Sequence, residues 1–276
     1  MCTVGEVVHT LPEGEVVNGV TSLGDEVFVL RADRRYQVEV YDVFTYRLQR
    51  RLSLPNCCGV TDIISCDYHH CVYVADPNNM CVYRVEARRG STKPWAVYDV
   101  PAGLSVNKSR YNVLVTCILV RLLKEFSSYG DLLRVLAFPY DVIHPWHTIQ
   151  LTSGQYVVCH GNECDFLHRV CVLSDDCRHI VHVHGGPRGR EIGQLSLPVR
   201  LAVDDNERVF VVDVLNRRVT LLSPTLNYIR EAVSRDNLKW YPGRLALDTQ
   251  RRRLFVADNE FEWGRWVSGR VVEYGV

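Results

Sequence analysis

The chain lacks what would place it in a membrane, send it for export or mark it as a familiar enzyme. No run reaches 18 apolar residues, so no transmembrane helix is expected. Residues 1–6 carry no basic segment ahead of a long apolar one and read as no secretory leader. Charge of one sign is not in excess: Lys plus Arg and Asp plus Glu stand at 32 each, so no global field draws the chain to nucleic acid or an anionic surface. Gly-x-Ser-x-Gly, His-Glu-x-x-His and phosphate-loop patterns are missing. No Cys-x-x-Cys pair finds a matching second pair, and the adjacent Cys57 and Cys58 are poorly placed to bridge to each other. The eleven cysteines are therefore expected to be reduced, mostly buried thiols in a cytoplasmic chain.

What is present is β structure in short, evenly spaced runs. Leu201-Ala202-Val203-Asp204, Val209-Phe210-Val211-Val212-Asp213 and Val219-Thr220-Leu221-Leu222 are three strands separated by polar turns. A second copy follows, with Gly243-Arg244-Leu245-Ala246-Leu247-Asp248, Leu254-Phe255-Val256-Ala257-Asp258 and Gly269-Arg270-Val271-Val272. The start of the second strand recurs at Val27, Val72, Val113, Tyr156, Val209 and Leu254, in steps of 45, 41, 43, 53 and 45 residues. Such spacing, with β-branched segments between, fits four-stranded propeller blades. Residues 118–126 alone could pass for an amphipathic helix, but the phase of the repeat makes them strands.

Pro-x-x-Leu-Ala-x-Asp, a turn, Val-Phe-Val-x-Asp and Asn-Arg-Arg-Val resemble the NHL repeat, most specifically over residues 193–276. The His usual in the third element of that repeat is Arg217 here. The resemblance implies an all-β, six-bladed β-propeller, with blades at about 16–54, 59–100, 103–138, 147–184, 199–233 and 243–276. Residues 4–11 are left over and are expected to close the last blade as its outer strand, hiding a sheet edge.

In a propeller the first strand of each blade lines the central channel, and the loops before it share a face with those between strands two and three. Aligning the blades puts His147, Arg200 and Arg244 at one position near the channel mouth, with Asn18, Asp62 and Gly103 from the other blades. Two guanidiniums and an imidazole suit a carboxylate or phosphate group, or pair with aspartates such as Asp204 and Asp248 or with backbone carbonyls. Trp146 and Trp240 lie beside them, as interface anchors or as packing between blades. These five residues, Trp146, His147, Arg200, Trp240 and Arg244, are the candidate partner-binding set.

Resemblance to the C-terminal domains of TRIM-NHL proteins implies a monomeric, non-catalytic platform that presents a protein partner, in a ubiquitin-ligase setting, with no cofactor, metal or membrane. Single-stranded RNA is the next alternative. The six loops between strands two and three carry +2, −1, +1, −2, 0 and −2 in chain order, a net of −2, whereas a phosphate-tracking groove wants a positive stripe. A lactonase- or lyase-like propeller enzyme is the third reading. It is placed last because only Asn18 and Asp62 would serve a channel cation and only His147 a histidine-held metal. The outer-strand pair His182 and His184 suggests no more than adventitious metal binding.

Overall fold

Strands this short, apolar on both faces, must be covered on both sides, and a ring of sheets does this without large exposed edges. In the computed structural model, which describes residues 5–32 and 36–276, the chain forms that ring. Val4 of the expected closing strand, Cys2 of the eleven cysteines and the loop arginines Arg34 and Arg35 lie outside the described residues.

β1 (Val7–Thr10) precedes the first blade. Blade one is β2 (Val17–Leu23), β3 (Glu26–Arg31), β4 (Gln37–Asp42) and β5 (Leu48–Ser53). Blade two is β6 (Asp62–Cys66), β7 (Cys71–Asp76), β8 (Cys81–Glu86) and β9 (Thr92–Ala96). Blade three is β10 (Pro101–Val106), β11 (Val113–Cys117), β12 (Leu122–Phe126) and β13 (Leu132–Ala137). Blade four is β14 (Pro145–Gln150), β15 (Tyr156–His160), β16 (Leu167–Leu173) and β17 (Ile180–Pro187). Blade five is β18 (Pro198–Val203), β19 (Val209–Asp213), β20 (Arg218–Leu222) and β21 (Tyr228–Val233). Blade six is β22 (Tyr241–Asp248), β23 (Arg253–Glu262), β24 (Arg265–Gly275) and, as its fourth strand, β1. Each blade is an antiparallel meander, and residues 118–126 are a turn followed by strand β12, with no helix, in the phase of the repeat. Among the described residues, one 3₁₀ turn at Arg235–Asn237 is the only helical element, and no helix is long and apolar enough to cross a membrane.

The core is a ring of six apolar interfaces, one between each pair of neighbouring blades. Phe28, Leu30 and Val40 of blade one meet Val72, Val74 and Tyr83 of blade two. At the point of closure Val20, Val27 and Val29 meet Phe255, Ala257 and Val271 of blade six. Seven of the ten described cysteines are buried and all ten are free thiols. Burial pushes Cys117, Cys159, Cys171 and Cys177 up to about 12, so they pack as small apolar groups.

Closure is made by the N-terminal strand. β1 pairs antiparallel with β24, Val7 opposite Tyr274 and Thr10 opposite Val272, and Leu11 N–H donates to Val271 O at 2.9 Å. Leu11 is buried in the core between blades six and one. Deletion of residues 1–12 should lower the melting temperature by about 5 °C or more, because burying one Leu is worth about 2 kcal/mol and 1 kcal/mol moves a domain this size by about 2–4 °C. A deletion variant melting with the full chain would rule out closure by β1.

Candidate functional site

Each inner strand enters the channel through a local irregularity. In blades one, three, four, five and six the ladder shifts by one residue, between Val17 and Gly19, Pro101 and Gly103, Pro145 and His147, Pro198 and Arg200, and Pro242 and Arg244. A bulge of this kind re-aims the side chain that follows it. The equivalent positions are thus Gly19, Asp62, Gly103, His147, Arg200 and Arg244. The sequence alignment put Asn18 in blade one; the register moves that position to Gly19, and Asn18 instead donates its amide to Val60 O at 2.8 Å.

The structure brings His147, Arg200, Arg244 and Asp62 together across the axis. Arg200 spans from blade five to blades two, three and four. Its Nη1 donates to Trp146 O and Val199 O at 3.3 and 3.1 Å, and its Nη2 donates to Ala102 O at 2.9 Å and lies 3.3 Å from Asp62 Oδ1. Asp62 Oδ2 accepts the Leu104 N–H at 2.7 Å. Arg244 reaches from blade six to blades one and two, donating to Asn18 O and Thr61 O at 2.9–3.0 Å and to Gly243 O at 2.8 Å. Two glycines make room. A Cβ on Gly19 would lie 2.6 Å from Ile63 Cγ2, and one on Gly103 would lie 2.5 Å from Trp146 O.

His147 is locked in one neutral tautomer. Leu201 N–H donates to its Nδ1 at 3.3 Å, so Nε2 carries the hydrogen and donates to Leu104 O at 2.8 Å. Burial, then the Arg200 charge, pushes its pKa down to about 4. Burial, then Arg200 again, lowers Arg244 to about 9, which leaves it charged at neutral pH. His147 and Arg200 are only 5% and 3% exposed, and their polar atoms are spent largely inside the ring. Of the partners weighed for the two arginines, backbone carbonyls and Asp62 hold them; Asp204 is instead paired with Arg208 and Asp248 with Arg251. Trp146 packs against the cores on both sides of blade five and donates Nε1–H to Gly161 O at 2.9 Å. Trp240 is half-buried with Lys239 Nζ over its ring at 4.1 Å and Arg270 at 5.7 Å.

The repeat aspartate at the end of the second strand fixes the mouth-face loops. Asp213 accepts from Ser196 N–H at 2.6 Å, and Asp258 from Lys239 and Trp240 N–H at 2.9 and 2.8 Å. Arg217, in place of the usual His, donates to the carbonyls of Leu238, Lys239 and Trp240.

One pair that sequence reasoning missed lies on the same face in blade four. His144, one residue before β14, places Nδ1 2.7 Å from Asp165 Oδ2, in the loop between β15 and β16. Asn162 N–H donates to the same Asp165 oxygen at 2.7 Å. His168, fixed by the Leu197 N–H on its Nδ1, donates Nε2–H to Asp165 O at 3.0 Å. Among the described residues this is the one His–carboxylate contact, and Nε2 of His144 has no protein partner. Tyr140 and Phe166, from the same two loops, are exposed beside the pair in sequence. No group of three or more His, Cys, Asp or Glu among the described residues could hold a metal; His184 of the outer-strand pair is buried with Nδ1 3.1 Å from Leu226 O.

No family model and no curated protein matches the chain. Solved structures do. A streptogramin B lyase is similar over 98% of this chain and 89% of its own, with TM-score 0.64 and 12% identity. Virginiamycin B lyase from Staphylococcus aureus is similar over 96% and 88%, with TM-score 0.62 and 12% identity. Hydrazine synthase from Kuenenia stuttgartiensis is similar over 95% and 97%, with TM-score 0.66 and 10% identity. At these identities the likeness establishes the propeller fold. The six-bladed ring implied by the NHL resemblance stands, while the structures named here are not TRIM-NHL proteins. They also correct the expectation that the chain is no enzyme, because a ring of this size and shape is one on which lyases are built.

The His147 tautomer sets a pH dependence. Its folded pKa lies near 4 against an ordinary 6.5, so between these values the unfolded chain takes up a proton that the native state refuses. Stability should fall as pH is lowered through that window, by about 3 kcal/mol for His147 alone. His160, also pushed down to about 4 by burial, adds to it. The variant His147→Gln should be less stable at pH 7.5 by about 1–2 kcal/mol, yet lose less between pH 7.5 and 4.5 than the parent chain. Urea midpoints at the two pH values read this directly, and parallel losses would exclude the assignment.

Proposed function

We propose that the protein is a propeller enzyme of the lyase or hydrolase kind, with the His144–Asp165 pair as its acid–base group at the channel-mouth face. The observation that carries this reading is the pair itself: a carboxylate orients the imidazole through Nδ1 and leaves Nε2 turned to other partners. Asn162 and His168 hold the Asp165 loop, which keeps the pair in register. In an elimination Nε2 would take a proton from carbon, a double bond would form and the bond to the leaving group would break with its electron pair. In a hydrolysis Nε2 would take the proton of an attacking water and return one to the leaving oxygen. The likeness to streptogramin B and virginiamycin B lyases supports an enzyme on this scaffold and makes streptogramin B one reasonable probe.

The test is turnover of three probes: streptogramin B, a simple γ-lactone and p-nitrophenyl acetate. The parent chain should turn over at least one, and His144→Ala and Asp165→Asn should lower kcat/KM by about 100-fold or more, each with its melting temperature kept within about 3 °C, below the shift of about 1 kcal/mol. Absence of turnover by the parent chain, or full activity in His144→Ala, would overturn the acid–base reading.

A protein partner on the same face is the second reading, favoured by the β23–β24 hairpin. It projects past the sheet and carries Phe261, Trp263 and Trp266 at its tip, Trp263 being 96% exposed. Phe261 and Trp266 stack edge to face at 5.0 Å, and Trp266 also meets Tyr241. Rigid exposed aromatics are the commonest interface anchors. The RNA reading gains less, because Arg31, Arg217 and Arg218 are drawn inward to carbonyls and carboxylates rather than left for phosphates. A partner recovered with the intact chain should lose about 2 kcal/mol or more of affinity on Trp263→Ala, with no change in melting temperature. Retention of full affinity by that variant would remove the hairpin from the interface.

A further inference from the structure

Counting charge along the axis gives an imbalance. Arg200 and Arg244 are both cationic. Among the described residues Asp62 is the one carboxylate paired with either, and His147 is held neutral by its two backbone contacts. The axis therefore holds two positive charges against one negative.

Counting hydrogen bonds gives the same result. A guanidinium has five N–H donors. Arg200 makes three hydrogen bonds through Nη1 and Nη2 and sets Nη2 3.3 Å from Asp62 Oδ1, while its Nε–H is buried with no partner among the described residues. Arg244 makes its contacts through Nε and one direction on each Nη, all to neutral carbonyls. Two of its N–H groups remain. Arg244 is only partly buried, so a small solute has access to it. Isolated charge and unpaired donors away from bulk water are costly, and the remedy is a counter-charge with acceptor lone pairs.

We propose that the channel between Arg200 and Arg244 binds a small monoanion, of chloride or formate size, which neutralises the second guanidinium. A monoanion balances the count at zero, whereas a dianion would overshoot it. Small size follows from the donors left over, one N–H on Arg200 and two on Arg244, which an ion with few acceptor atoms satisfies. This inference does not depend on the acid–base reading, since His144 and Asp165 lie in the loops of blade four and take no part in it.

The full chain should be melted at constant ionic strength in sodium gluconate, whose anion is too bulky to enter, with chloride or formate replacing gluconate stepwise. The melting temperature should rise by several degrees and saturate for chloride, for formate or for both. A gain with chloride alone would assign a spherical inorganic ion, and a larger gain with formate would assign a carboxylate. Arg244→Met, which removes the excess charge, should abolish the response. A second readout needs no variant: the ³⁵Cl resonance should broaden in the presence of the protein and sharpen when formate displaces chloride. Equal melting temperatures in all three salts together with no protein-dependent broadening would overturn the proposal, as would an undiminished response in Arg244→Met.

Discussion

A blade of this protein is apolar on both faces, and neither face can stay in water. Every blade therefore depends on two neighbours, and the ring depends on its weakest joint. Six separate cores lie between blades rather than within one. No interface is complete unless the chain returns to where it began. β1 contributes only four residues to that return, yet it covers the outer edge of β24 and brings Leu11 into the joint. Gly14 pairs with Gly269 and Arg31 donates to Gly269 O at 2.9 Å, so the segment after β1 is tied as firmly as the strand. Closure is thus a set of main-chain contacts between the two ends, needing little from side-chain identity at β1 itself.

The axis poses a second problem. Bulges at the inner strands of blades one, three and four turn the backbone carbonyls of Asn18, Ala102 and Trp146 toward the centre, and Thr61, just ahead of β6, adds its own. Buried carbonyls need donors. A guanidinium supplies five in a fixed plane, and two of them serve four blades here. Burying such charge is not a net source of stability, because desolvation offsets the gain from pairing. What it does is set register: Arg200 can meet Asp62 and Ala102 O together only when blades two, three and five are correctly spaced. The axial charges that look from the sequence like a ligand set hold the blades in alignment.

How much of this was legible in the sequence depends on whether the signal is local. Strands of blades five and six read directly, because the run Val209–Asp213 and its relative at 254–258 carry both their burial and their turns with them. The ambiguous stretch 118–126 shows the limit of periodicity alone, since Leu122, Leu123 and Phe126 fit a helix face as well as they fit a buried strand. Phase relative to the other blades decided it. Blade one was misplaced by one residue because an ungapped alignment has no place for the bulge at Val17 and Gly19. The role of Arg200 was beyond reach for another reason: its partners sit 98 and 138 residues away and are chosen by the closed ring. The His144–Asp165 pair is 21 residues apart across two loops and an entire hairpin, with no motif to announce it.

These two kinds of position divide the labour of the molecule. The axis is taken up largely by pairing, apart from the donors that Arg200 and Arg244 leave over, while the repeat aspartates pin mouth-face loops from below. Asp76, Asp213 and Asp258 each hold main-chain N–H groups of the loop ahead of their own blade, fixing the mouth face without using its exposed side chains. Blades one, three and four lack this aspartate, their second strands ending in Arg31, Cys117 and His160, and in blade four the loop that follows is organised by Asp165, Asn162 and His168 instead. Freed from the common pin, that loop brings a carboxylate to an imidazole. The fold is shared with lyases and a hydrazine synthase at only 10–12% identity. The ring preserves packing and register, while each mouth loop is free to carry a different chemistry.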